Sequence, residues 1–395
     1  MEQLKRNAQA IAVGASATFI GIGLERFAYT PLIPALIAHG WFDASAATFL
    51  GAANLLGYLL GAVSAQRCSA RLGDHRLLAL ACLLSVLSFV LCAVSAPFAW
   101  FFVWRAVSGV TGGWLMVIGP SIALSSTPPS DRPIVGTLAF MGIGAGALVS
   151  ALAVPSLLEV GLTLTWLMLG FAVAIAAVIG ITAHAGLPAA EPAVPPPQPG
   201  ASAPRLERSI VVAVTLVCIA YMGDAIGFVP HTVFWVDFLE RDVGLSTTAA
   251  NTQWAIFGFG ALCGPILAAR LVGVSGWRNG LAIALLVKAI AVGLPFVAVG
   301  LVARSVSSFA VGALVPGVVA ITSGRIAALV GLRNHTAFWG KATALFAIGQ
   351  AASGYAMAGA LSVTGDYRTL FLASGVILGA AAACALASGS RSLQV

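Results

Sequence analysis

The sequence predicts an all-α membrane protein, with twelve transmembrane helices arranged as two pseudo-symmetric six-helix bundles. Three observations predict it. Apolar residues make up 59% of the chain and charged residues 8%, against roughly 25% charged in an ordinary soluble domain. A soluble fold of 395 residues must coat itself with polar side chains, and 20 Lys/Arg with 13 Asp/Glu cannot do so. Apolar runs long enough for a bilayer core, which takes about 20 helical residues, recur twelve times, and a proline-rich stretch divides them six and six.

The first run follows MEQLKRNAQA and continues through residue 38, too long for a cleaved signal peptide and with no A-x-A-like site. It is read as a membrane helix over 9–38. Charged residues or Pro/Gly/Asp clusters separate the next five, at 44–65, 77–96, 99–121, 133–156 and 163–184. Gly186 to Arg205 carries seven prolines and reads as an extended, solvated linker. The second six follow at 209–238, 247–269, 279–296, 299–322, 338–361 and 368–388. Pro295, with no charge after it, leaves the end of the ninth undefined. The domains are thus 1–185, a linker at 186–207, and 208–395.

Lys and Arg placement gives the orientation. With the N-terminus inside, inner loops hold Lys5, Arg6, Arg67, Arg71, Arg76, Arg132, Arg205, Arg208, Arg270, Arg278, Arg325, Arg333 and Arg391. Outer loops hold Arg241 and Arg368. This asymmetry explains most of the net charge of +7, and a nucleic-acid partner is not needed to account for it. Of the cysteines, Cys82, Cys92, Cys218, Cys263 and Cys384 lie in apolar runs and Cys68 in a basic loop; the spacing suggests neither disulfides nor zinc.

The halves repeat each other. Glu25 and Asp224 each precede a proline by six residues, Pro31 and Pro230, and each proline precedes an acid by twelve, Asp43 and Asp242. Arg105-x-Val-Ser matches Arg304-x-Val-Ser, and Gly57-x-x-x-Gly61 matches Gly260-x-x-x-Gly264 after a four-residue insertion. Both halves start inside, which makes this a parallel repeat about the membrane normal.

Arg105-x-x-x-Gly109-x-x-Gly112 resembles the helix-four signature of the major facilitator superfamily. Where that family carries G-x-x-x-D-R-x-G-R after helix two, this chain reads Gly61-Ala-Val-Ser-Ala-Gln-Arg67-Cys-Ser-Ala-Arg71, without the acid. Gly136, Gly142, Gly144, Gly146 and Pro155 partly resemble the helix-five antiporter signature. The segment Glu25-Arg-Phe-Ala-Tyr-Thr-Pro-Leu-Ile-Pro34 is similar to the first helix of a bacterial branch of the YbfB/YjiJ type. The resemblance implies a secondary transporter in the bacterial inner membrane, working by alternating access, with both termini cytoplasmic. It names no substrate.

Charges inside spans need a reason, because each is disfavoured by ~2.5–3.5 kcal/mol on insertion scales. Seven stand well inside a span or at least one turn in: Glu25, Arg26, Arg105, Asp224, Lys288, Arg304 and Lys341. Glu25 and Asp224, on the first helix of each half, are the candidate proton carriers; the alternative is static pairing with an Arg. Arg105 and Arg304 are the candidate substrate cations; the alternative is that Arg105 pairs with Glu25 and Arg304 with Asp224. Lys341 sits a turn from the inner face and can snorkel. Lys288, ten residues into its span, must be neutral or paired.

Tyr221, Asp224, Phe228, His231 and Trp235 fall on one helical face. Tyr29 is one turn from Glu25. With Arg26, Asn54, Gln253, Trp254 and Gln350, the residues Tyr29, Tyr221, Phe228 and His231 complete the candidate substrate site; Trp235 is read as packing. His39, His75, His184 and His335 sit at span ends or loops. No phosphate-cradling loop, nucleophile elbow, zinc motif or dinucleotide fingerprint is present in the sequence, so no enzyme and no cofactor is expected.

The surplus of cations favours a small organic anion, such as a carboxylate, moved with protons by a monomer in the lipid bilayer. The rivals are proton-driven export of amphiphilic or drug-like compounds and a non-transporting membrane receptor or sensor.

Overall fold

The computed structural model describes residues 2–128, 130–187 and 207–389. The expected linker lies outside the described residues from 188 to 206, as do Arg205 and Arg391. Among the described residues every regular element is helical. Eleven helices are long and apolar enough to cross a membrane. The longest, Thr247–Val297, has 51 residues and would be about 75 Å long if straight. Gly276 breaks it with φ 73° and ψ 168°, outside helical geometry, so it supplies two crossings and the total is twelve. The stretch expected as a loop around Arg270 and Arg278 is helix on either side of that break.

The other spans follow the sequence expectation with longer ends. Span one runs from Glu2 to Ala38 in four pieces, span two is Ala44–Leu72, span three Asp74–Leu91 and span four Phe98–Ser125. Span five is Arg132–Val160 and span six Leu162–Ala185. Span seven runs from Arg208 to Arg241 in three pieces, and spans eight and nine share Thr247–Val297. Span ten is Leu301–Val330, span eleven Leu332–Thr364 and span twelve Tyr367–Ala387. Arg325, expected in an inner loop, is instead buried in span ten, where Nη2 donates to the Ser388 carbonyl at 2.6 Å. One face of the molecule carries residues 73, 126–128, 130, 131, 187, 207 and 331 (the linker face); the far face carries 39–43, 92–97, 242–246 and 298–300.

Spans two and four touch backbone to backbone. A Cβ on Gly57, Gly61 or Gly109 would collide with the carbonyl of Ala106, Val110 or Asn54. In the second half Gly260, Gly264 and Gly312 meet the carbonyls of Phe309, Ala313 and Phe257 in the same way. Small residues let membrane helices approach this closely. Each of these residues stands 203 positions after its counterpart. The terminal pieces Leu32–Ala38 and Trp235–Arg241 are also 203 apart, so the four extra residues are absorbed between Asp224 and Trp235, where span seven leaves α geometry. On this register Arg105 corresponds to Ser308, not to Arg304. The Arg-x-Val-Ser match at an offset of 199 is therefore not a structural repeat. Gly109→Ala is expected to destabilise the folded protein by about 1–3 kcal/mol through overpacking. Gly359→Ala, whose Cβ would meet open space, should leave the melting temperature in detergent unchanged.

The bundles meet through spans two with eleven, five with eight, and the far-face ends of one and seven. Three side-chain hydrogen bonds among the described residues cross between them. Thr30 donates to the Thr232 carbonyl, Arg26 to Gln350, and Trp254 to the Ser150 hydroxyl. Val233 also packs where a Cβ on Gly51 would lie. These contacts fall from mid-span to the far face.

Candidate functional site

Span one is irregular at its centre. Phe19–Leu24 is a π-helical turn, so the Glu25 N–H reaches back five residues to the Ile20 carbonyl at 2.9 Å. A 3-10 turn, Phe27–Tyr29, follows, and Pro31 has no N–H to give. The Tyr29 N–H turns to the Arg26 carbonyl, so the Glu25 carbonyl lacks the donor that a regular helix would supply. Arg105 and Asn54 fill that place: Nη1 of Arg105 donates at 2.9 Å and Nδ2 of Asn54 at 3.4 Å. Broken helices persist in membranes only where neighbours satisfy the freed backbone groups.

Arg105 is thus a clasp on the break in span one. Its guanidinium also lies 4.1 Å from the Tyr29 ring centre, and the Tyr29 hydroxyl donates to the Ala47 carbonyl. No ion pair within 4.0 Å joins Arg105 to the Glu25 carboxylate; the three salt bridges among the described residues lie elsewhere.

The Glu25 carboxyl is fully buried. Its Oε1 lies 2.5 Å from the Thr111 hydroxyl, and Oε2 has no partner. Thr111 has one hydrogen and three acceptors in reach: Oε1, the Ser108 carbonyl at 3.0 Å and the Val107 carbonyl at 3.2 Å. An ionised Glu25 accepts that hydrogen. A protonated Glu25 donates to Thr111 instead, and Thr111 turns its hydrogen to Ser108. Both protonation states therefore have a hydrogen-bonded arrangement without moving the backbone.

Asp224 differs. Nζ of Lys288 donates to its Oδ1 at 2.7 Å, both side chains being buried, and to the Leu314 carbonyl at 3.3 Å. Lys288 also lies 4.3 Å from the Phe228 ring centre. The environments correspond on the 203-residue register: Ser85 and Thr111 beside Glu25, and Lys288 and Leu314 beside Asp224. The alternative pairing of Asp224 with Arg304 does not occur, because Lys288 holds Asp224. Arg304 sits one turn into span ten at the far face, half-buried, donating to the Val299 carbonyl at 3.4 Å. It is not brought together with Arg105.

Arg26 bridges the bundles. Nη1 donates to Oε1 of Gln350 at 2.7 Å, and the guanidinium lies 4.2 Å from the Tyr58 ring centre. Nε and Nη2 of Arg26 and Nε2 of Gln350 are buried with no partner. Lys341 is exposed, as snorkelling requires, 5.2 Å from the Phe338 ring centre.

The stripe on span seven does not hold as one face. Tyr221 packs on Phe346 and Trp339 of span eleven, with centroids at 4.5 and 5.5 Å, and Phe228 on Phe346. His231 and Trp235 instead face Phe371 of span twelve and Ser307 and Ser308 of span ten. The π turn Pro230–Phe234 explains the split, because its extra residues rotate everything beyond it. His231 is fully buried. The Ser307 hydroxyl donates to the Ala291 carbonyl, so Nε2–H of His231 donates to Ser307 at 2.7 Å and Nδ1 is left unprotonated and unpartnered. Gln253 accepts from Ser305 within the second half, while Trp254 stacks on Phe257 and joins Ser150 of span five.

Sequence reasoning missed Thr111, Tyr58 and Asp237. Asp237 is buried and held by Tyr367 and by Arg241 at 3.4 Å. It was detectable as an eighth charge inside the predicted seventh span, since 209–238 includes it. Thr111 shares a helical face with Ser108 and Gly112, a signal that the arginine motif overshadowed.

Comparison with known proteins agrees with this architecture. No curated protein matches the sequence. The crystal structure of a bacterial homologue of the human lysosomal transporter Spinster, inward-facing and unoccupied, superposes with a TM-score of 0.71 at 16% identity, covering 97% of each chain. The crystal structure of a D-xylose–proton symporter gives 0.72 at 18% identity, covering 96% of each. At such identities the likeness is one of fold. A family model described as "Uncharacterised MFS-type transporter YbfB" matches residues 18–386. The chain is a multi-pass membrane protein and belongs to this YbfB-type family of major facilitator superfamily transporters.

Proposed function

We propose that the protein is a proton-coupled secondary transporter of an organic carboxylate, with Arg26 and Gln350 receiving the anion and Glu25 carrying the proton. One observation carries this reading: Nε and Nη2 of buried Arg26 are both free. They share one edge of the guanidinium, the fork that a carboxylate engages through two parallel hydrogen bonds. Buried donors without partners are unfavourable by a few kcal/mol unless a ligand satisfies them. The free Nε2 of Gln350, on the other bundle, adds a third donor, so one anion would contact both halves.

Coupling follows from local charge. Beside Arg26 and Arg105, an ionised Glu25 leaves one surplus positive charge and a protonated Glu25 leaves two. Protonation therefore favours anion binding, and by reciprocity anion binding favours protonation. Asp224 is held by Lys288 and takes no part in this exchange. The Lys/Arg asymmetry makes the linker face cytoplasmic; the contacts from Thr30–Thr232 to Arg26–Gln350 then shut the outer side. Alternating access requires those contacts to part. Anion and proton thus move in the same direction.

Thermal stabilisation of the purified protein tests the site, because a ligand of the folded state raises the melting temperature by mass action. Organic carboxylates are expected to stabilise the wild type and to lose about tenfold or more in apparent affinity in Arg26→Ala. Stabilisation by amphiphilic cations alone, unchanged in Arg26→Ala, would overturn the reading in favour of drug-like export.

A further inference from the structure

Gln350 stands four residues after Phe346 and eleven after Trp339 on span eleven, so the three share one helical face. Phe346 lies about 6 Å along the helix from Gln350 and Trp339 about 16 Å. Tyr221 of span seven lies between the two aromatic rings, tilted 33° to Phe346 and 29° to Trp339. Phe228 extends the cluster, its ring 6.0 Å from Phe346. Phe346 and Tyr221 are buried while Trp339 is half-buried, so the row runs from the closed centre towards the linker face. On the first bundle, the Tyr58 ring lies under Arg26, 4.2 Å from its guanidinium. The free donors therefore stand at the deep, mid-membrane end of an aromatic row that spans seven and eleven build.

Resting on the carboxylate reading above, we infer that the transported anion carries an aromatic ring: its carboxylate meets Arg26 and Gln350, and its body lies along Tyr221, Phe346 and Trp339. A short acid would satisfy the donors without touching the rings, and the second carboxylate of a dicarboxylic acid would be set against apolar rings. A ring attached to the carboxylate starts within the ~6 Å that separates the donor end from Phe346, and two fused rings reach Tyr221.

The test compares 2-naphthoate, benzoate, acetate and succinate as stabilisers of the intact protein in detergent, with 1-naphthylmethylammonium as the cationic control. Apparent affinity is expected to rise at least tenfold from acetate to 2-naphthoate, with succinate no better than acetate and the control inactive. Phe346→Ala is expected to lower the 2-naphthoate affinity about tenfold and leave that for acetate unchanged; Tyr221→Leu serves the same purpose if Phe346→Ala does not fold. Succinate equal to or better than 2-naphthoate would overturn the aromatic inference while leaving the Arg26 site standing. If no carboxylate stabilises the protein, or if Arg26→Ala responds as the wild type does, both fall.

Discussion

Glu25→Gln is expected to abolish concentrative uptake while sparing exchange. In proteoliposomes with an imposed pH difference of two units, a carrier moving one proton with each neutral-pair turnover accumulates substrate about a hundredfold, since each pH unit supplies about 1.4 kcal/mol. The variant should level off at equal concentrations on the two sides. It keeps a side chain of the same shape, and its amide oxygen can still accept from Thr111, so the fold and the break in span one are undisturbed. Counterflow of labelled against unlabelled substrate should therefore persist. Thr111→Val should weaken accumulation in the same direction, because it removes the hydroxyl that lies 2.5 Å from the Glu25 carboxyl. A Glu25→Gln protein that still accumulates substrate would move the proton site elsewhere.

Lys288→Met is expected to be the most destabilising single change in the second bundle, and Asp224→Leu with Lys288→Met to recover most of the loss. The single change leaves a buried carboxylate whose other oxygen already lacks a partner. Removing one member of a buried pair is disfavoured by about 3–5 kcal/mol, whereas replacing both by apolar groups is close to neutral. Thermal melts in detergent check the stability. Because Asp224 is assigned no proton, the double variant should also retain uptake driven by a pH difference. Retained stability with lost uptake would make Asp224 a coupling residue after all.

The fold was largely legible in the sequence and the site only in part, for identifiable reasons. Twelve apolar runs suffice for the helical architecture because backbone polar groups in lipid must be satisfied within the protein, which leaves few alternatives to a spanning helix. The repeat was legible too, but its register was not. The Gly57/Gly61 and Gly260/Gly264 match held because close backbone packing demands glycine at those positions. The Arg105/Arg304 match failed because the extra residues sit in the irregular middle of span seven, and a motif count cannot see where an insertion falls.

Polar partners were the least legible. Arg105 was read as a substrate cation or as the partner of the Glu25 carboxylate; its contact with the Glu25 backbone carbonyl was not legible, because the π turn in span one frees an acceptor that no sequence pattern announces. Lys288 was read as neutral or paired, but the partner itself was not legible, since Asp224 is two spans away in sequence. Arg26 was read as one of several binding residues. Its importance emerges only from the pairing of its other groups, which leaves one edge of the guanidinium free.

The account stands on the link between an anion at Arg26 and a proton at Glu25, and the proton balance of binding measures that link directly. Benzoate added to the purified protein in weakly buffered detergent solution, with a pH indicator, should draw about one proton from solution per anion bound at the alkaline end of a series from pH 5.5 to 8.5. Glu25→Gln should bind benzoate and draw none. Binding by the wild type with no proton taken up at any pH, or with protons released, would contradict the account.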